Sequence, residues 1–149
     1  DGATPVPVGC TAGASTGGSA GGIARLTAVR TARHAGYDRV VFEFDAHVPA
    51  YRIDYVDSPQ EECGSGEAVR EAGDGWLRVA LEPANAHTEA GQPTAPRRIT
   101  DPAGANLREL RRICDFEAHV DWVIGVGSPN RYRAFTLERP ARLVIDVRN

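Results

Sequence analysis

The stretch from Tyr37 to Asp45 constrains the fold most strongly, because apolar and polar side chains alternate along it. It reads Tyr-Asp-Arg-Val-Val-Phe-Glu-Phe-Asp, and its apolar members Val40, Phe42 and Phe44 are spaced two residues apart. A period of two residues is typical of a β-strand that buries one face. The stretch therefore predicts a half-buried strand.

The same pattern closes the chain, where Leu143, Ile145 and Val147 alternate with Arg142 and Asp146. Two such strands at opposite ends of the sequence predict one sheet whose first and last strands share a core.

Similar runs fill the sequence between these two strands, joined by turns rich in Gly, Pro and Asp. Trp122 is in phase with the apolar residues of its run and is predicted to lie in the core. Asn106 to Arg112 fits either a short helix or a strand, and a turn is expected at 115–117. The pattern predicts an all-β fold, an antiparallel β-sandwich of eight or nine short strands, with a partly closed barrel as the alternative.

The chain divides by composition into two parts. Residues 1–22 are mostly Gly, Ala, Ser, Thr and Pro, which predicts a flexible linker because such a segment buries little apolar surface. Residues 23–149 are long enough for one domain with its own core. The sequence contains no Met, so we expect that an N-terminal targeting segment has been removed.

Charge and motif content argue against several function classes. A net charge of −3 disfavours a nucleic-acid-binding surface, and no apolar run approaches the roughly 20 residues of a transmembrane segment. The cysteines and histidines lack metal-site spacing, so no metal and no cofactor are expected. The four histidines are predicted to be ordinary surface residues, and no catalytic residue is assigned: His34, His47, His87 and His119.

Five segments in order carry a resemblance to a known family: His34-Ala-Gly-Tyr-Asp-Arg-Val-Val-Phe-Glu-Phe-Asp45, Tyr51-Arg-Ile-Asp-Tyr-Val-Asp57, Asp115-Phe-Glu117, Trp122-Val-Ile-Gly-Val126 and Arg142-Leu-Val-Ile-Asp-Val147. Together they resemble the AMIN-like domain of secreted actinobacterial proteins and lipoproteins. The related AMIN domain of cell-wall amidases is a small β-sandwich that directs its enzyme to the cell envelope. The resemblance implies an extracytoplasmic, non-catalytic module that binds peptidoglycan or an envelope protein.

Two cysteines depart from the pattern of that family, Cys63 and Cys114. Their joint appearance predicts a disulfide that closes a loop of about 50 residues, and such a bond belongs to an oxidising compartment. Pairing of Cys10 with either of them remains open.

Arg39 and Tyr37 are the first candidate ligand contacts. With Asp38 they would line a groove for a carboxylate, which the planar guanidinium fork binds through two hydrogen bonds. Arg39 also lies on the predicted outward face of its strand, as Asp146 does. The alternative is a cross-strand ion pair worth a few tenths of a kcal/mol.

Trp76, Asp115 and Glu117 complete the candidate ligand contacts. Trp76 is out of phase with the core, so its indole either stacks on a sugar ring or covers the second face of the sheet. The two carboxylates are two residues apart and point the same way in an extended segment, which would suit a small envelope glycan hydrolase. In the structural alternative, Asp115 caps backbone N–H groups and Glu117 pairs with an arginine.

We therefore expect a binding or targeting module of the cell envelope. The alternatives are the hydrolase and a protein-binding subunit of an envelope complex. The sequence leaves the ligand and the oligomeric state open.

Overall fold

The computed structural model describes residues 10–149, and within that range the chain forms thirteen strands and no helix. Eight strands span six residues or more, in agreement with the predicted eight or nine, and the other five are shorter. The strands are β1 (Ser15–Gly17), β2 (Ala24–His34), β3 (Tyr37–Phe44), β4 (Ala50–Val56), β5 (Gln60–Glu61), β6 (Ala68–Val69), β7 (Gly75–Glu82), β8 (Ala84–Asn85), β9 (Arg98–Ile99), β10 (Leu107–Phe116), β11 (His119–Val126), β12 (Tyr132–Leu137) and β13 (Ala141–Arg148).

Two main sheets form the sandwich. The six-stranded sheet has the order β1-β4-β7-β11-β10-β9, and the five-stranded sheet has the order β12-β13-β3-β2-β8. All pairs in them are antiparallel except β2 with β8. The predicted sandwich is confirmed, and the two strongly alternating stretches lie in one sheet as expected. They are direct neighbours there, because β3 pairs with β13.

The core lies between the two sheets and is built from the alternating residues. Val40, Phe42 and Phe44 are all buried there, at 1% exposure or less. The rings of Phe42 and Trp122 meet edge to face, with centroids 5.7 Å apart, so the aromatic contact joins the two sheets. The prediction that Trp122 belongs to the core is confirmed.

The stretch from Asn106 to Arg112, which fitted either a helix or a strand, leads into and begins strand β10. This strand pairs with β11 on one side and β9 on the other. Asp115 and Phe116 belong to the strand, so the turn predicted at 115–117 is displaced toward the C-terminus. Glu117 and Ala118 make this turn, with φ values of 51° and 64°. The helical spacing was misleading because register shifts interrupt β10 after Leu107 and after Arg112.

Part of the segment predicted to be a linker lies against the domain. Thr11 exchanges two backbone hydrogen bonds with Tyr132, of 2.8 and 2.9 Å, and strand β1 pairs with β4. The Tyr132 hydroxyl donates to the carbonyl of Gly13 at 2.7 Å. This stretch thus joins the edges of both sheets, unlike the flexible linker expected over 1–22. Residues 1–9 lie outside the described range.

A small hairpin, β5–β6, covers part of the outer face of the six-stranded sheet. Val69 of this hairpin packs against Ile113, Val123 and Trp76, which form a second apolar cluster. The Cys63–Cys114 disulfide joins the hairpin to β10, with 5.1 Å between the two Cα atoms. The predicted pairing is confirmed, and Cys10 lies outside this bond.

Asp38 holds the segment that leads into β10. Its carboxylate accepts hydrogen bonds from the backbone N–H groups of Ala105, Asn106 and Leu107, at 3.0, 2.6 and 3.1 Å. Gly104 precedes this segment with φ at 149°, and a Cβ there would lie 2.7 Å from the carboxylate. The start of β10 is therefore fixed by one buried charge on the opposite sheet.

Candidate functional site

A groove runs beside the C-terminal end of β10, where the strand meets the loop that precedes β9. Two adjoining depressions of about 270 and 430 Å³ form it. Both are lined by the same four residues, Arg97, Arg112, Asp115 and Phe116. We refer to this surface as the Arg112 groove, and its volume is in the range of sites for small ligands.

Arg112 and Asp115 lie on the inward face of β10, since they pair with Trp122 and Val120 of β11. Earlier inward positions of the strand are filled by apolar residues such as Leu110. The chain thus places two charged side chains at the rim of the core, with the side chain of Arg112 only 12% exposed.

The carboxylate of Asp115 is held by the loop opposite. One oxygen accepts a hydrogen bond from the backbone N–H of Ala86 at 3.0 Å, and the other lies 2.7 Å from Nδ1 of His87. The predicted alternative, in which Asp115 caps a backbone N–H, agrees with this arrangement. A carboxylate next to an imidazole can also polarise a bound ligand or water.

Arg112 has fewer of its hydrogen-bonding groups satisfied than the neighbouring Asp115. Its Nη1 lies 3.7 Å from the Asp115 carboxylate, too far for a hydrogen bond, and has no hydrogen-bond partner. Burial is the main cause that lowers the pKa of Arg112, and the nearby charge of Arg97 adds to it. The groove wall therefore contains a guanidinium whose charge is not matched by a hydrogen-bonded carboxylate.

Phe116 and Arg97 form the exposed part of the groove. Phe116 is 59% exposed, and besides it Ile23 is the other large hydrophobic residue exposed in the described chain. The backbone carbonyl of Arg97 accepts a hydrogen bond from the N–H of Arg112 at 2.9 Å. An open aromatic ring and two guanidinium groups thus lie within one groove.

The disulfide forms one wall of the same groove. Cys63 and Cys114 line its smaller depression together with Glu62. The backbone N–H of Cys63 also bonds to the carbonyl of Ile113 at 3.0 Å. The covalent bond therefore fixes the position of β10 at the point where Arg112 and Asp115 face the groove.

The five predicted ligand contacts do not meet at one place. Asp115 lines the groove, whereas Glu117 is exposed in the adjacent turn and is not among the lining residues. Trp76 packs beneath the β5–β6 hairpin and donates its indole N–H to the carbonyl of Glu71 at 3.2 Å, as the covering alternative expects.

Arg39 and Tyr37 are buried, at 0% and 1% exposure. Arg39 makes two hydrogen bonds to Asp146, of 2.7 and 2.9 Å, so the carboxylate in its fork belongs to the protein. The ion-pair alternative is therefore the arrangement found. The expected stabilisation of a few tenths of a kcal/mol applies to exposed pairs and does not hold for this buried pair. The position of Arg39 on the outward face of its strand was predicted, but its burial was not.

Sequence reasoning missed Phe116 and Arg97 as members of the site. The one local signal was the exposed phase of Phe116, immediately after Asp115. Arg97 reaches the groove through a loop that no periodicity describes.

Two further kinds of site have no support in residues 10–149. This part of the chain contains no helix long and apolar enough to cross a membrane. It also holds no group of three or more His, Cys, Asp or Glu side chains arranged to bind a metal ion.

Comparison with known proteins identifies a family. The sequence model of the AMIN-like domain family matches residues 24–149, which is nearly the whole chain. No curated protein matches it.

Proposed function

The chain belongs to the AMIN-like domain family, and from this premise we propose that it binds peptidoglycan through carboxylate groups that enter the Arg112 groove. The family indicates a non-catalytic binding or targeting module associated with the cell wall. Together with the Cys63–Cys114 bond it also indicates an extracytoplasmic location. The protein would reach that location as a secreted chain or through a membrane anchor that precedes this sequence.

The observation that carries the proposal is the exposed ring of Phe116 beside Arg97 and Arg112. A flat apolar ring suits the face of a sugar, and a guanidinium fork suits a carboxylate. Peptidoglycan offers both groups in neighbouring units. A neutral glycan could accept a hydrogen bond from Nη1 of Arg112 but would bring no negative charge to the two guanidinium groups.

Co-sedimentation with purified peptidoglycan tests the proposal. Arg97→Gln should weaken binding by roughly tenfold or more, since a hydrogen bond to a charged group contributes about 1.5–3 kcal/mol. Phe116→Ala should weaken it by up to about tenfold, since an aromatic contact contributes about 0.5–1.5 kcal/mol. Ile23→Ala is the matched control for the aromatic ring, because Ile23 is 56% exposed and lies outside the groove. Arg70→Gln is the matched control for the charge, because Arg70 is exposed and does not line the groove.

A second binding assay isolates the carboxylate. Amidation of the free carboxyl groups of peptidoglycan should abolish retention of the wild-type protein. Equal retention on amidated and untreated material contradicts the proposal, as does equal loss in Phe116→Ala and Ile23→Ala.

The glycan hydrolase is the second candidate, and the Asp115–His87 contact of 2.7 Å is the observation in its favour. Such an enzyme needs a second carboxylate across the groove. Glu117, the residue expected from the sequence, is not a lining residue, whereas Glu62 lines the smaller depression. Release of soluble sugar fragments from peptidoglycan, lost in Asp115→Asn, would support this candidate instead.

A further inference from the structure

Strand β12 is an edge of the five-stranded sheet that keeps a regular extended geometry. All six residues from Tyr132 to Leu137 pair with β13 without a register shift, and none is a proline. Native sheets usually protect such an edge with a bulge, a proline or a covering segment. Here a covering segment, Thr11, pairs with the first residue of the strand.

The outward backbone groups of β12 can be assigned from this contact. Tyr132 directs its N–H and C=O toward Thr11, away from β13. Since the direction alternates along an antiparallel strand, Ala134 and Thr136 point outward in the same way. Neither residue has a backbone hydrogen-bond partner on that side within residues 10–149. Among the described residues, the ladder begun by Thr11 thus has two open positions, at Ala134 and Thr136.

The surface around this edge is basic. Five arginines lie in β12, β13 and their flanks, and within the described chain none of them has a carboxylate within ion-pair distance: Arg131, Arg133, Arg139, Arg142 and Arg148. The acidic residues of these strands and their flanks are Glu138 and Asp146, and Asp146 is bonded to Arg39. Glu43 lies opposite Arg142 on β3 and is paired with Arg30. The guanidinium of Arg133 lies over the ring of Phe135, 4.5 Å from its centroid, at the edge itself.

We propose that β12 binds an extended acidic peptide segment of another protein, which adds to the five-stranded sheet as a further strand. The open N–H and C=O groups of Ala134 and Thr136 supply the backbone bonds, and the arginines select acidic side chains. A second copy of this chain fits less well, because pairing β12 with itself would bring two basic edges together. This interaction is separate from the Arg112 groove.

The added peptide strand can extend beyond Thr136. A cavity of about 590 Å³ opens at this end, lined on one side by Thr136, Leu137 and the turn that follows them and on the other by residues 18–19 and 45–48. The cavity therefore leaves space for the end of a peptide that is longer than the open edge.

The test uses a synthetic nine-residue peptide in which Thr and Val alternate with Asp and Glu. NMR titration should shift the backbone amide signals of 133–137. The same peptide with N-methyl groups on alternate amides, and a peptide with Arg in place of the acids, should both bind at least tenfold more weakly. Loss of one hydrogen bond in such a ladder is worth up to about tenfold in affinity.

Substitutions in the strand separate backbone pairing from side-chain contacts. Thr136→Pro removes one outward N–H that has no backbone partner within residues 10–149, so the fold should persist while peptide binding falls by up to about tenfold. Thr136→Val keeps the N–H and should bind like the wild type. Arg133→Glu should weaken binding of the acidic peptide and reduce its preference over the basic one, since four of the five arginines remain.

Several results would overturn the proposal. Equal binding of the N-methylated peptide argues against strand addition, and equal binding of both charge types removes the basis for an acidic partner. Absence of amide shifts with all peptides contradicts it directly. A dimer in sedimentation that Thr136→Pro dissociates would assign the edge to a second copy.

Discussion

Asp38→Asn is the substitution whose effect on stability can be worked out most directly from the structure. The Asp38 carboxylate accepts four hydrogen bonds, three from the backbone at the start of β10 and one from the side chain of Asn149 at 2.9 Å. The residue is fully buried. An asparagine keeps the shape, but it offers one oxygen instead of two and adds an N–H₂ group that faces donors.

About two donors are therefore left without an acceptor. Each unsatisfied buried donor costs about 1–3 kcal/mol, so Asp38→Asn should lose about 2–6 kcal/mol of the free energy of unfolding. Domains have only about 5–15 kcal/mol in total. For a domain of this size the loss corresponds to a fall in Tm of roughly 5–20 °C.

Urea unfolding followed by tryptophan fluorescence measures this change, because Trp122 lies in the core. The matched control is Asp54→Asn, which removes a carboxylate that is 32% exposed and paired with Arg52 at 3.3 Å. This control should lose less than about 1 kcal/mol. If Asp38→Asn loses no more than the control, the account of the segment that leads into β10 is wrong.

Three further predictions concern buried or cross-linked groups. Cys63→Ser with Cys114→Ser should lose about 4 kcal/mol, because the disulfide spans 51 residues, and the wild type in reductant should unfold at the same urea concentration. Burial raises the pKa of Glu71 in the folded protein, so Glu71 stabilises the fold below its unfolded pKa and this stabilisation is lost as the pH rises through the folded pKa. Glu71→Gln should remove this loss, and an unchanged dependence of unfolding free energy on pH would contradict the assignment. Asp146→Asn should cost about 3–5 kcal/mol, whereas Arg39→Leu with Asp146→Leu should cost less, since the single change removes the carboxylate charge that faces the buried Arg39 guanidinium.

The alternation of apolar residues was sufficient to predict the two layers, because a period of two fixes which side chains face each other across a sandwich. It assigned Val40, Phe42 and Phe44 to the buried face and put β3 and β13 in one sheet, although their direct pairing came from the structure. The same period cannot tell how deeply the second face is buried. Arg39 points outward as expected, yet it is inaccessible to a ligand.

The Arg112 groove could not be predicted from periodicity, because its residues meet only in three dimensions. Arg97 comes from a loop, Arg112 from the middle of a strand, and Phe116 from the end of that strand. The disulfide was predictable because Cys63 and Cys114 depart together from the family pattern. Its place in the groove wall depends on the register of β10, which two shifts obscure in the sequence.

The two proposed surfaces lie on opposite sides of the sandwich, so they can be occupied together. The groove adjoins β10 and β9, at one edge of the six-stranded sheet, whereas β12 lies on the side where Thr11 and β1 join the two sheets. The same molecule can then hold an acidic protein segment at the cell wall.

Peptidoglycan should therefore sediment the acidic peptide only when the protein is present. Phe116→Ala should abolish sedimentation of the peptide because the protein no longer binds peptidoglycan. Thr136→Pro should abolish sedimentation of the peptide while the protein itself still sediments. Competition between the peptide and peptidoglycan for the wild-type protein would mean that one surface, and not two, is responsible.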